Sequence, residues 1–125
     1  MSTYGRRFED YLKVIYSLQT SKGDVRLKEV ARAMGLKPPT VLQYINKLQE
    51  MGLATYSQGR VSLTEEGLRR ARELMMKFKK IKEFFVDVVH MDEKKAEEVA
   101  CLIEHVVDEE TVARMEEVVK RLSKC

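Results

Sequence analysis

A mostly α-helical fold carrying one small β-wing is what the sequence predicts, and three observations predict it. Apolar residues recur at helical spacing through nearly all of the chain. Glycine and proline fall at or near the boundaries of those periodic segments and not in their middles. One stretch alone, Ala54 to Leu63, alternates and carries a turn pair, Gln58-Gly59, at its centre.

The elements follow in order. Arg6 to Thr20 reads as a helix with Phe8, Tyr11, Leu12, Ile15 and Leu18 on its apolar side. Ser21 to Asp24 is a turn, and Val25 to Leu27 a short strand. Lys28 to Met34 is a short helix stopped by Gly35, which suits the position just beyond a helix end. Pro38 and Pro39 open the next helix, because proline is tolerated in a first turn and nowhere deeper. That helix runs to about Met51, ahead of Gly52.

After the hairpin, Thr64 is a natural N-cap for a long helix reaching about Val89, with Leu68, Ala71, Met75, Phe78, Ile81, Phe85 and Val88 as its stripe. Asp92 to Val107 reads as a helix with Ala96, Val99, Ile103 and Val106 at apolar spacing. Asp108 caps a last helix whose Val112, Met115, Val119 and Leu122 face inward.

Helix, short strand, helix, tight turn, helix and β-hairpin is the order of a winged helix-turn-helix. Residues 1–63 are expected to form this domain, and residues 64–125 an all-helical second domain. Charge agrees. Residues 1–60 hold 10 Lys/Arg against 5 Asp/Glu, whereas residues 61–125 hold 13 against 15. A basic first half beside a mildly acidic second half suits a double-stranded-DNA reader followed by a different module.

The candidate recognition helix offers Lys37, Pro39, Thr40 and Gln43 at its N-terminal part, with Asn46 and Lys47 a turn further on. Gln43 can reach an adenine edge, and the Pro39 ring or Thr40 methyl can touch a thymine methyl. Lys37, Lys47, Arg26, Lys28 and the wing residue Arg60 suit phosphate contacts, which position without specifying sequence. The rival reading of this half is a winged helix used for protein contacts.

The second half holds the segment Cys101-Leu102-Ile103-Glu104-His105. In a regular helix Cys101, Glu104 and His105 share an arc roughly 100° wide, so thiol, carboxylate and imidazole converge. That donor set suits a first-row transition metal. A core cysteine beside a solvated Glu and His fits the same spacing.

Composition excludes several classes. No apolar run approaches the roughly 18–20 residues of a membrane span, and Met1 to Arg7 lacks the apolar stretch of a signal peptide. Two cysteines, Cys101 and Cys125, give neither a disulfide framework nor a zinc finger, so a reducing cytoplasm is expected. Cys125, the last residue, carries no expected role. A metal-dependent hydrolase would need an open coordination position, a general base and an oxyanion donor, and the sequence supplies none of these. An enzyme is therefore not expected. A metal-independent regulator that senses oxidants or a ligand through Cys101 is the alternative function.

Together these segments resemble the diphtheria toxin repressor family of metal-dependent transcriptional regulators, which includes the manganese transport regulators. The resemblance runs from about Phe8 to Val119. It is carried by Glu9-Asp10-Tyr11-Leu12-Lys13-Val14-Ile15-Tyr16, Pro39-Thr40-Val41-Leu42-Gln43, Gly52-Leu53, Leu63-Thr64-Glu65-Glu66-Gly67 and Ala100-Cys101-Leu102-Ile103-Glu104-His105. It implies the short form, a winged-helix domain and a helical metal-binding and dimerisation domain without the SH3-like third domain. It also implies a metal site of Asp10, Cys101, Glu104 and His105, with Asp10 supplied by the reader domain and the others by the sensor domain. A metal bound so would join the two domains in one orientation and set the spacing of recognition helices on a palindromic operator.

The departures from the family are informative. Where many members bind a second metal, this chain has Phe78, Lys82 and Lys13 in place of a His and two acidic residues. One divalent ion per subunit is therefore expected, Fe²⁺ first and Mn²⁺ close behind, with Zn²⁺ or Co²⁺ also able to bind in vitro. A lysine ammonium can stand in for the second cation. His90 is expected at a surface turn, and Glu97 on the Cys101 face.

A two-fold reader needs a two-fold interface. Met75, Phe78, Phe85 and Met91, with Val112, Met115 and Val119 of the last helix, offer more apolar surface than one small domain can bury. A homodimer is expected, and no membrane partner.

Overall fold

The computed structural model describes residues 6–123, so Cys125 lies outside the described residues. The chain forms α1 (Arg6–Lys22), β1 (Val25–Arg26), α2 (Leu27–Met34), α3 (Pro38–Glu50), β2 (Ala54–Ser57), β3 (Arg60–Leu63), α4 (Glu65–Asp87), α5 (Glu93–Ile103) and α6 (Glu109–Ser123). It divides into two compact units, one spanning Arg6–Arg72 and the other beginning at Glu73. The first turns of α4 thus fall within the first of these units.

The first unit is a winged helix-turn-helix. Its antiparallel sheet has the order β1-β3-β2, with Val25 opposite Val61 and Ala54 opposite Leu63. Gln58 and Gly59 join β2 to β3 at φ 52° and 78°, the positive values that a two-residue hairpin with native twist requires. Gly35 closes α2 at φ 69°, where its N–H and that of Leu36 satisfy the Arg32 and Ala31 carbonyls. Lys37 is extended, as a residue before proline must be, and α3 starts at once.

Tyr11, Leu12, Ile15, Val41, Ile45 and Leu48 are wholly buried in the core of this unit. Tyr44 stacks on Tyr11 at 4.9 Å between ring centroids and meets Phe8 edge-on at 5.4 Å. Two glutamines pin the wing. Gln19 of α1 accepts from the Leu63 N–H at 3.0 Å, and Gln49 of α3 accepts from the Tyr56 N–H at 3.0 Å. Thr64 caps α4, accepting from the Gly67 N–H and donating to the Gly52 carbonyl.

The second unit packs the remainder of α4 with α5 and α6 around Ile81, Ala100 and Val112, with Phe78, Phe85, Ile103, Val107 and Met115 closing in. Asp92 and Asp108 cap α5 and α6 through the N–H groups of Lys95 and Thr111. The Thr111 hydrogen bonds hold the Asp108 carboxyl below its ordinary pKa.

Three expectations for this unit need correction. The helix predicted over 92–107 ends at Ile103, because the N–H groups of Val106 and Val107 both turn back to the Ile103 carbonyl before Asp108 opens α6. Val106, read as part of the apolar spacing of that helix, lies beyond its end and is 66% exposed. Leu122, assigned to the inner stripe of α6, is 52% exposed near the end of that helix.

Candidate metal centre and nucleic-acid interface

The candidate metal motif sits where α5 stops. Ala96 and Ala100, four residues apart, are wholly buried, and Glu104 continues that row with no exposed surface. A carboxylate is thereby carried into the interior at the C-cap, one residue past the end of α5. His105, the next residue, is 6% exposed, and its Nε2 lies 3.4 Å from Glu104 Oε1.

Burying a carboxylate is costly without a partner of opposite charge or a cation. Two donor atoms that each lie about 2.1 Å from one ion at a tetrahedral angle are about 3.4 Å apart. The donor chemistry and spacing of this pair therefore fit a divalent first-row ion.

The rest of the expected set is placed less uniformly. Cys101, predicted to share an arc with Glu104 and His105, is exposed, whereas Ala100 turns inward and Glu104 is fully buried. Asp10 lies on α1 in the winged-helix unit and is half-buried. His90 is exposed at φ 64° in the turn before α5, a surface turn residue as expected.

Phe78 packs into the core of the helical unit. Lys82 reaches from α4 to α5, where its Nζ lies 3.0 Å from both Glu93 Oε1 and Glu97 Oε1. Hydrogen bonds to Glu97 and then Glu93 raise the Lys82 pKa above its ordinary value. Glu97 is thus engaged by a lysine and does not stand alone in solvent.

On the other unit, Lys37, Pro39, Thr40, Gln43, Asn46 and Lys47 are all exposed along α3. Arg26 and Lys28 are exposed beside them, and Arg60 projects from the wing in an exposed ion pair with Asp24 at 3.4 Å. A surface pair of this kind is weak enough for a phosphate to replace it.

The candidate dimerisation residues divide. Val112 is sealed in the core of its own unit at 3% exposure, with Phe78, Phe85 and Met115 packed on it. Val112 therefore has no surface left to offer a partner. Met75, Met91 and Val119 are half-buried, and Met76, Val89, Leu102, Val106 and Leu122 are the large apolar side chains of this unit most open to solvent among the described residues.

Sequence reading missed Gln19, Gln49 and Lys77. A glutamine or lysine on a helix looks like a solvated residue, and no local pattern distinguishes one that reaches a distant backbone atom.

None of the described helices is long and apolar enough to cross a membrane. Residues 4–61 match the iron-dependent repressor N-terminal DNA-binding domain, and residues 64–125 the iron-dependent repressor metal-binding and dimerisation domain. An HTH-type transcriptional regulator of Methanocaldococcus jannaschii is 34% identical over 109 residues, covering 86% of this chain and 87% of that protein. The diphtheria toxin repressor of Corynebacterium glutamicum is 32% identical over 112 residues, covering 88% of this chain but only 49% of that longer protein. A solved manganese-dependent transcriptional repressor in complex with manganese aligns at a TM-score of 0.82 with 30% identity, over 90% of this chain and 52% of that one. The chain belongs to the iron-dependent repressor family: it is a metal-dependent, DNA-binding transcriptional regulator and not an enzyme.

Proposed function

We propose that this protein is a cytoplasmic, homodimeric repressor that binds a palindromic operator when each subunit holds one divalent ion, Fe²⁺ or Mn²⁺. The observation that carries this reading is the buried Glu104 carboxylate beside the buried His105 imidazole at the end of α5, inside a metal-binding domain. Asp10 and Cys101 complete the proposed ligand set. Cys101 precedes the pair by one helical turn with its thiol open to solvent, and Asp10 stands in the family-like motif of α1.

The proposed switch follows from where the ligands sit in the chain. With Asp10 on the DNA-reading unit and the others on the helical unit, one bound ion selects a single arrangement of the two. The bound ion supplies the positive charge that the carboxylates and thiolate share. α3 then presents Gln43, with Pro39 and Thr40, to base edges, while the exposed lysines and arginines meet phosphates.

Gel-shift titration of a palindromic promoter fragment with and without chelator tests the reading. Operator affinity should rise at least about tenfold with Fe²⁺ or Mn²⁺, since about 1.4 kcal/mol of differential binding is enough. Glu104→Gln or His105→Ala should abolish that response and leave weak, salt-sensitive binding. Unchanged affinity in excess chelator would remove the metal switch and leave the Cys101 redox alternative.

A further inference from the structure

Two of the proposed ligands, Glu104 and His105, lie on a short turn, and a turn of that kind needs something to hold it. Glu104, His105 and Val106 follow the last helical residue of α5, and α6 begins at Glu109. Within the turn, backbone bonds run back to α5, from the Glu104 N–H to the Ala100 carbonyl and from the Val106 and Val107 N–H groups to the Ile103 carbonyl, at 3.0 Å each. The Val107 carbonyl points elsewhere. It accepts from Lys77 Nζ at 2.9 Å, across from α4.

Lys77 is well suited to this task. Only 16% of its side chain is exposed, and its Nζ also lies 3.7 Å from Glu109 Oε1 at the start of α6. One ammonium thus ties the exit of the ligand turn and the first residue of α6 to the long helix. Five residues further along α4, Lys82 ties down the first half of α5 through Glu93 and Glu97. The segment carrying Cys101, Glu104 and His105 is therefore anchored to α4 on both sides by lysines. The other cross-helix lysine of α4, Lys80, pairs with Glu116 at 3.5 Å in the middle of α6 and touches no part of the turn.

We infer that Lys77 is a positioning residue for metal binding: through the Val107 carbonyl it holds the Glu104–His105 turn in its ligating shape before any ion arrives. This rests on the proposed role of Glu104 and His105 as ligands. Holding a flexible segment in its bound shape raises affinity by removing the ordering cost from the binding step. A charge-assisted bond to a partly buried carbonyl is among the stronger hydrogen bonds available for the purpose.

The test compares Mn²⁺ affinity, by competition with a chelating dye, across variants of the full chain. Lys77→Met, which keeps the aliphatic stem, should bind about tenfold more weakly, and Lys77→Arg, which keeps a donor, should stay within about threefold of the native protein. Lys80→Met and Glu109→Gln should bind as the native protein does, since neither removes the bond to Val107. In the metal-free state, amide exchange at Val106 and Val107 should quicken in Lys77→Met and not in Lys80→Met. Lys77→Gln provides the same comparison should the Met variant fold poorly.

Native affinity in both Lys77→Met and Lys77→Gln would overturn the inference. So would an equal loss in Lys80→Met, which would mark a general weakening of helix packing. Failure of the native protein to bind any divalent ion would instead remove the ligand assignment, and the exchange rates would still report whether Lys77 orders the turn.

Discussion

Replacing Gly67 by alanine should lower the melting temperature of the winged-helix unit by about 8–16 °C. Gly67 stands in the first turn of α4, where alanine would ordinarily favour a helix by up to about 1 kcal/mol. Here an added Cβ would sit 2.0 Å from the Leu53 carbonyl oxygen, 3.0 Å from its carbon and 3.3 Å from Leu63 Cδ2. The first distance is more than 1 Å inside a normal carbon–oxygen contact of about 3.3 Å.

Leu53 cannot retreat freely. Its oxygen accepts from the Thr64 N–H at 3.0 Å, and the Gly52 carbonyl beside it accepts from the Thr64 hydroxyl. Relieving the clash means forcing α4 from the wing, at about 1–3 kcal/mol for overpacking and about 1 kcal/mol for the weakened hydrogen bond. Less the helix-propensity gain, the net loss is about 2 kcal/mol, and a unit of this size loses about 4–8 °C per kcal/mol. Scanning calorimetry with amide exchange on α1 to β3 measures it. At 25 °C, where the variant remains folded, its metal count should match the native protein. A Gly67→Ala variant melting at or above the native temperature would refute the close-approach argument.

Two further outcomes follow from the sites. Calorimetric titration should count one tight divalent ion per subunit, because Phe78 is packed into the core and Lys82 already occupies the space between Glu93 and Glu97; two tight ions would contradict this. On operator DNA, Gln43→Ala should cost about 1–3 kcal/mol and relax discrimination at one base pair. Lys47→Ala should instead weaken all sequences alike and reduce the salt slope by about one, so the reverse pattern would invert the assigned roles.

Much of this protein is determined locally and can be read from the sequence. Gly35, Pro38-Pro39, Gly52 and Gln58-Gly59 set the boundaries of the winged helix through backbone preferences that need no tertiary partner. Thr64, Asp92 and Asp108 likewise cap the three helices that follow, each through a side chain reaching its own first turn. The identity of the metal motif is local too, since Glu104 and His105 are neighbours in the chain.

Tertiary structure decided the rest. Helical periodicity draws one arc through Cys101, Glu104 and His105, but which side of that arc faces the interior depends on packing, and the row Ala96, Ala100 and Glu104 is buried while the thiol is exposed. The apolar character of Val112 could not tell a protomer core from a dimer face, because burial depends on which surfaces meet. The bonds of Gln19, Lys77 and Lys82 join elements 11 to 44 residues apart, and that of Gln49 joins α3 to the wing. A flexible polar side chain carries no periodic signal of where its end will rest, and only the packing of the helices around it fixes that point.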